Sequence, residues 1–205
     1  QDVSILSSNL VQNGNFSELG SQLITNGTFQ TDANWVLGTG WSIGDGRATL
    51  TNGVNNLNQI YQAVSGLNTK NLRISFDVLN FSGAAELRYP LRHNITSNGS
   101  YVFYGVGDFD RIQFEALSGS TTSFSIDNVS VKQVDPNDNW TLGTGWSFGT
   151  NKANAILTSD GQFLTSSTVL TIGSKYKLTF SAVVTSGEVR HYNGGFTGIT
   201  ANTTG

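Results

Sequence analysis

Asn34-Trp35-Val36-Leu37-Gly38-Thr39-Gly40-Trp41-Ser42 returns later in the chain as Asn139-Trp140-Thr141-Leu142-Gly143-Thr144-Gly145-Trp146-Ser147. The two copies hold all 4 tryptophans of the 205-residue chain. A spacing of about a hundred residues is too long for a solenoid unit of roughly 20–50 residues and suits a duplicated small domain. Matches continue downstream: Arg47-Ala48 against Lys152-Ala153, Leu72-Arg73-Ile74-Ser75-Phe76 against Tyr176-Lys177-Leu178-Thr179-Phe180, and Glu86-Leu87-Arg88 against Glu188-Val189-Arg190. The spacing shrinks by a residue or two between blocks, as it does when loops change length between preserved strands. The chain therefore reads as an N-terminal extension or the end of a preceding unit (1–22), a first module (23–134) and a second module (135–205). Relative to the first, the second is expected to lack about 30 residues. The first residue is Gln1, so a processed product or a segment of a longer repeat protein is expected.

The modules read as all-β. Leu72, Ile74, Phe76 and Val78 alternate with Arg73, Ser75 and Asp77, which gives one apolar and one polar face. Tyr176, Leu178, Phe180, Ala182 and Val184 repeat the pattern, and Ile112, Phe114 and Ala116 alternate with Gln113 and Glu115. Asn13-Gly14, Asn26-Gly27, Asp45-Gly46, Asn52-Gly53, Asn98-Gly99 and Asp160-Gly161 mark turns between such runs. Short strands punctuated in this way predict a β-sandwich, and no 3.6-residue period is sustained long enough for a helix. Trp35 and Trp41, around their glycines, are expected to form a buried hairpin corner, as are Trp140 and Trp146.

Leu10-Val11-Gln12-Asn13-Gly14-Asn15-Phe16 is answered by Leu23-Ile24-Thr25-Asn26-Gly27-Thr28-Phe29. One of these is expected to open the first module. The other is either left from a preceding unit or an added edge strand. The second module has no such opening after the polar junction Lys132-Gln133-Val134-Asp135-Pro136-Asn137-Asp138, so it is expected to borrow an edge or to start differently.

Composition narrows the function. Charged residues are 12%, about half the usual share, while 37% hydrophobic residues are enough to build cores. A net charge of −3 argues against phosphate-driven binding of nucleic acid. No apolar run approaches the roughly 20 residues that span a bilayer. The chain has 0 cysteines, which removes disulfides and thiolate chemistry.

Three elements together, Leu-Val-x-Asn-Gly-x-Phe (10–16, echoed at 23–29), Trp-x-x-Gly-x-Gly-Trp (35–41) and Ile-Asp-Asn-Val-Ser-Val (126–131), resemble the jelly-roll carbohydrate-binding modules appended to polysaccharide hydrolases. The tandem Leu-Gly-Thr-Gly-Trp-Ser wording is similar to repeats in tail-fibre and other virion structural proteins of bacteriophages. The resemblance implies tandem jelly-roll β-sandwiches that bind or scaffold rather than catalyse. It implies a structural and adhesive fibre component at the virion surface, partnered by other fibre subunits as a homo-oligomer and by a host cell-surface polysaccharide. Neither nucleic acid nor membrane insertion is expected. The alternatives are an accessory region of a secreted polysaccharide-degrading enzyme and a bacterial extracellular fibre or adhesin.

Candidate residues follow. The only histidines, His93 and His191, form no ligand pair, and neither a nucleophile elbow nor a Walker A loop is expected. Asp108 and Asp110, near Glu115, are the carboxylates from which a hydrolase would be built, and a solvated turn is the stronger reading. The shared tryptophans serve the fold better than a ligand. Tyr61, Tyr89 and Tyr101, with Tyr104, are the candidate sugar platforms, and Asn58, Gln59 and Gln62 the planar amide partners. In the resembling modules the position of Asp127 often carries a structural calcium ligand, for which the early Asn-Gly turn or Glu18 would be partners, and no cofactor is expected beyond that ion; the other reading of Asp127-Asn128 is a bulge or turn before the last strand. No Glu directly follows either Asn-Gly-x-Phe, a departure from that pattern.

Overall fold

Leu72, Ile74, Phe76 and Val78 are buried on β6 (Asn71–Ser82), while Arg73, Ser75 and Asp77 turn outward, as their alternation predicts. This is a computed structural model, and it describes residues 8–187 and 191–192. β6 pairs with β9 (Gly99–Val106) on one side and β11 (Thr122–Val134) on the other. β11 continues to β4 (Arg47–Gly53) and then β3 (Trp41–Gly44), and β1 (Leu19–Gln22) joins the end of β11. These strands make one six-stranded antiparallel sheet. The second sheet runs β2 (Val36–Leu37), β5 (Gln59–Ala63), β10 (Arg111–Ala116), β7 (Ala85–Tyr89) and β8 (His93–Ile95), again antiparallel. The two sheets are the layers of the expected jelly-roll sandwich. No helix occurs among the described residues.

The core lies between them. Phe76 from one sheet and Phe114 from the other meet edge-on at 4.9 Å, and Trp41 stands edge-on to Phe124 at 5.3 Å. Leu50, Ile60, Leu87, Ile112 and Ile126 are fully enclosed. Each such side chain contributes about 1.5–3 kcal/mol over exposure.

The tryptophan corner is buried but is not a hairpin. β2 belongs to the five-stranded sheet and β3 to the six-stranded one, so residues 38–40 carry the chain from one layer to the other. A Cβ at Gly38 would stand 2.6 Å from the Gln59 carbonyl, and Gly40 holds φ +87°. The glycines are therefore required by the crossover itself. Asp45-Gly46, with φ of 53° and 69°, is the true hairpin turn, between β3 and β4.

The second Gly-Thr-Gly is built in the same way. β12 (Trp140–Leu142) pairs with β15 (Leu164–Ser166) as β2 pairs with β5, and β13 (Trp146–Gly149) pairs with β14 (Lys152–Ala155) as β3 pairs with β4. Gly38 N donates to Gln59 O at 2.8 Å, and Gly143 N donates to Phe163 O at 2.8 Å.

The chain divides into two compact units, Gln1–Thr168 and Val169–Gly205. The strand expected through Tyr176, Leu178, Phe180, Ala182 and Val184 is not formed among the described residues, and the first three are 45%, 42% and 42% exposed. Alternation decides which side chains share a face, but the ladder has to come from a neighbouring strand. The Glu188-Val189-Arg190 match lies outside the described residues.

Candidate functional site

On β10, Ile112, Phe114 and Ala116 point into the core, so Arg111, Gln113 and Glu115 must point away from it. Cross-strand register then assembles the outer face of the five-stranded sheet in rows. One row runs Val36, Tyr61, Gln113, Tyr89, and the next runs Gln59, Glu115, Glu86, Asn94. Gln113 thus sits between two tyrosines, each one strand spacing away, about 4.8 Å. The Arg111 guanidinium is wedged among the aromatics, at 5.2 Å from the Tyr61 ring, 5.0 Å from Tyr89 and 4.9 Å from Phe109. Tyr89 and Phe109 lie 4.7 Å apart. These contacts take one flank of each tyrosine and hold the rings in place.

Beneath the aromatics lies a buried polar layer. Glu86 is 1% exposed, Gln113 3% and Glu115 5%. Gln113 Nε2 donates to Glu115 Oε2, which leaves Gln113 Oε1 buried with no hydrogen-bond partner. Arg92 Nε donates to Glu86 at 2.9 Å, and Arg88 Nη1 stands 3.7 Å from the same carboxylate. Burial raises the Glu115 carboxyl above its ordinary range and the adjacent Glu86 adds to this, while the Gln113 amide and the Arg88 charge act in the opposite direction. The two glutamates are direct cross-strand neighbours.

Of the candidates from sequence, Tyr61, Gln59 and Tyr89 come together on this face. Gln62 points the other way, 6% exposed, with its amide bonded at both ends to the Thr25 backbone at 2.9 Å. Tyr101 and Tyr104 lie on β9 in the other sheet, where Tyr101 stacks on Phe76 at 5.2 Å and its hydroxyl donates to Ser97 O at 2.8 Å. Neither Gln62 nor Tyr101 can join the site. Asn58 is a loop clamp, its oxygen accepting from Val54 N at 2.8 Å and its amide donating to Thr39 O at 2.7 Å. Gln113, Glu86 and Arg111 were not among the candidates, and Glu115 was named only beside Asp108 and Asp110. The alternation already placed Gln113 and Glu115 on the polar face of β10, and that was the signal available.

The tryptophans stay out of the site. Trp35 and Trp41 are 6% and 7% exposed, and Trp140 and Trp146 are half-buried. Asp110 closes a turn, accepting from Leu67 N at 2.9 Å and Asn68 N at 2.8 Å, and the backbone bond from Asn68 leads in holding its carboxyl below the usual range. Asp127 Oδ1 accepts from Asn128 N at 2.6 Å, and its cross-strand partner is Asp77, itself bound by Asn128 Nδ2. Glu18 accepts from the amides of Asn137 and Asn139. No group of three or more His, Cys, Asp or Glu suited to a metal occurs among the described residues.

Gly-x-Ser-x-Gly does occur, at Gly40-Trp41-Ser42-Ile43-Gly44 and Gly145-Trp146-Ser147-Phe148-Gly149. A nucleophile elbow requires a strand-to-helix turn. Ser42 instead sits on β3 opposite Thr49, and no helix follows.

No family model and no curated protein matches the chain. Among solved structures, a mutant of a family 29 carbohydrate-binding module is 16% identical, covering 58% of this chain and 91% of its own, with a TM-score of 0.43. A second family 29 module is 16% identical over 52% and 87%, with a TM-score of 0.39. A carbohydrate-binding module designated CBM4 is 17% identical over 60% and 99%, with a TM-score of 0.37.

Proposed function

We propose that the outer face of the five-stranded sheet binds carbohydrate without cleaving it. The observation that carries this reading is Gln113, a buried amide whose Oε1 has no partner, set in one cross-strand row between Tyr61 and Tyr89. A sugar ring presents an apolar C–H face to an aromatic ring and hydroxyls at its rim. Tyr61 and Tyr89 supply the first kind of surface, and Gln113 Oε1, with Gln59 and Asn94 at the two ends of the adjoining row, supplies acceptors and donors for the second. Each aromatic contact contributes about 0.5–1.5 kcal/mol beyond its buried area.

The setting that agrees with the doubled module is a fibre: a structural and adhesive component displayed on a phage virion, assembled with copies of itself and other fibre subunits. The Leu-Gly-Thr-Gly-Trp-Ser likeness to virion repeats supports it. The same face would serve equally as the accessory sugar-binding region of a secreted polysaccharide-degrading enzyme. The reading frame that encodes the protein, with its neighbouring genes, separates the two: capsid and tail genes favour the fibre, and a linked catalytic domain the accessory region.

Binding itself is tested by titrating the protein with a panel of soluble neutral and uronate-containing polysaccharides. At least one is expected to bind, and Tyr61→Ala and Tyr89→Ala should each weaken that binding about threefold to tenfold. Binding that survives both substitutions unchanged would place the ligand elsewhere. No binding across the panel would leave the protein a structural role alone.

A further inference from the structure

The N-terminal echo has a partner far along the chain. In the first module, Phe29 packs on Trp35 at 5.0 Å with planes tilted by 39°, and Trp35 Nε1 donates to Asn26 O at 3.0 Å across 9 residues. At residues 10–16 the same corner recurs: Phe16 packs on Trp140 at 4.9 Å with a tilt of 43°, and Trp140 Nε1 donates to Asn13 O at 3.1 Å across 127 residues. The backbone matches too. Asn26 and Phe29 hold φ of 49° and 48°, while Asn13 and Phe16 hold 46° and 55°. Phe29 N donates to Asn26 O at 3.2 Å, and Phe16 N to Asn13 O at 3.0 Å.

Further bonds tie this segment to the second repeat. Asn13 Nδ2 donates to Asp135 Oδ1 at 2.8 Å, and the other oxygen of that buried carboxylate accepts from Trp140 N at 2.8 Å. Thr168 Oγ1 donates to Leu10 O at 3.2 Å. Phe16 also lies 6.3 Å from Phe148 on β13.

We propose that residues 10–16 are the opening of the second repeat, and that the first module is inserted into that repeat rather than placed before it. The Trp140 corner is then a receptor for one kind of segment, an Asn-Gly-x-Phe turn with positive φ at its asparagine and phenylalanine. This resolves why the second module has no opening after residue 134: its opening precedes the first module. Both ends of the insert leave together, because β1 and the end of β11 pair through Leu19 with Val134 and Gln22 with Lys132. A pull on the chain outside residues 10 and 168 is borne first by the Leu10–Thr168 contact and the Phe16–Trp140 corner. The sheet that carries Gln113 is loaded only after these give way.

Peptide-resolved hydrogen exchange on the full chain tests this. Phe16→Ala should accelerate exchange through residues 139–167 about tenfold, the effect of losing roughly 1.4 kcal/mol of local protection. Residues 60–116 should stay as in the wild type. Phe16→Tyr should restore the slow exchange, and Phe29→Ala should act on 34–63 instead. Unchanged exchange at 139–167 in Phe16→Ala would overturn the proposal. Acceleration spread evenly over 60–116 would overturn it as well, since the segment would then belong to no particular repeat. Sugar titration of the same variants reads the proposed binding face separately.

Discussion

Substituting alanine at Gly27 should do far more damage than the same change at Gly14, although both glycines occupy the same place in the same Asn-Gly-x-Phe wording. A Cβ at Gly27 would stand 2.0 Å from Val129 O, in the strand that closes the first module, and 3.1 Å from its carbonyl carbon. The clash is with backbone, so no side chain can swing aside. Either Val129 or the 23–29 segment must move, and the bond from Val129 N to Gly27 O at 2.9 Å is strained or lost with it. Overpacking of this kind costs about 1–3 kcal/mol and the lost bond about 1 kcal/mol more, for a total near 2–4 kcal/mol. At Gly14 the added carbon meets Val11 Cγ1 at 3.5 Å, an ordinary contact. That change should stay within about 0.5 kcal/mol. Urea unfolding followed by far-ultraviolet circular dichroism reads both. With a slope of about 2 kcal/mol/M, Gly27→Ala should lower the midpoint by roughly 1–2 M and leave the slope unchanged. Equal midpoints for the two variants would refute the close approach of Val129.

Asn58→Ala should lower stability by about 1–3 kcal/mol in the same assay, because it orphans Val54 N, Asn55 N and Thr39 O around one buried amide. Phe114→Ala removes the ring that meets Phe76 across the two sheets and should cost about 3–5 kcal/mol. Glu115 has its carboxyl raised by burial, so its neutral form is favoured in the fold and the stability tied to that form is lost as pH rises through the raised value. Thermal melts of wild type against Glu115→Gln should therefore diverge from about pH 4 upward, with the variant the more stable; parallel curves would count against the raised carboxyl. Asp110 has its carboxyl lowered by backbone donors led by Asn68, so Asp110→Asn should lose most against wild type above about pH 4 and converge with it in acid.

The fold was legible in the sequence because its strands alternate cleanly. Leu72 to Val78 and Ile112 to Ala116 each named their inward faces, and the Asp-Gly at 45–46 named its hairpin. Alternation is silent about which strands neighbour one another, and this is where the reading stopped. The Gly-Thr-Gly corner was taken for a hairpin because local sequence cannot distinguish a turn within a sheet from a crossing between sheets. The site was half legible. Tyr61 and Tyr89 could be singled out as aromatics, but their common row with Gln113 depends on pairings across residues 61, 113 and 89. Gln62 and Tyr101 looked equivalent to them until burial placed one on Thr25 and the other on Phe76. The tie between residues 10–16 and Trp140 was beyond any local reading, since the first module lies between them.

The most direct test of the proposed binding face is a two-dimensional NMR titration of the protein with an oligosaccharide of whichever polysaccharide binds. Resonances of the Gln113 side-chain amide and the Tyr61 and Tyr89 rings should shift saturably, while those of β6 and β9 stay in place. Saturable shifts confined to the six-stranded sheet, with Gln113 unmoved, would contradict the assignment of the site.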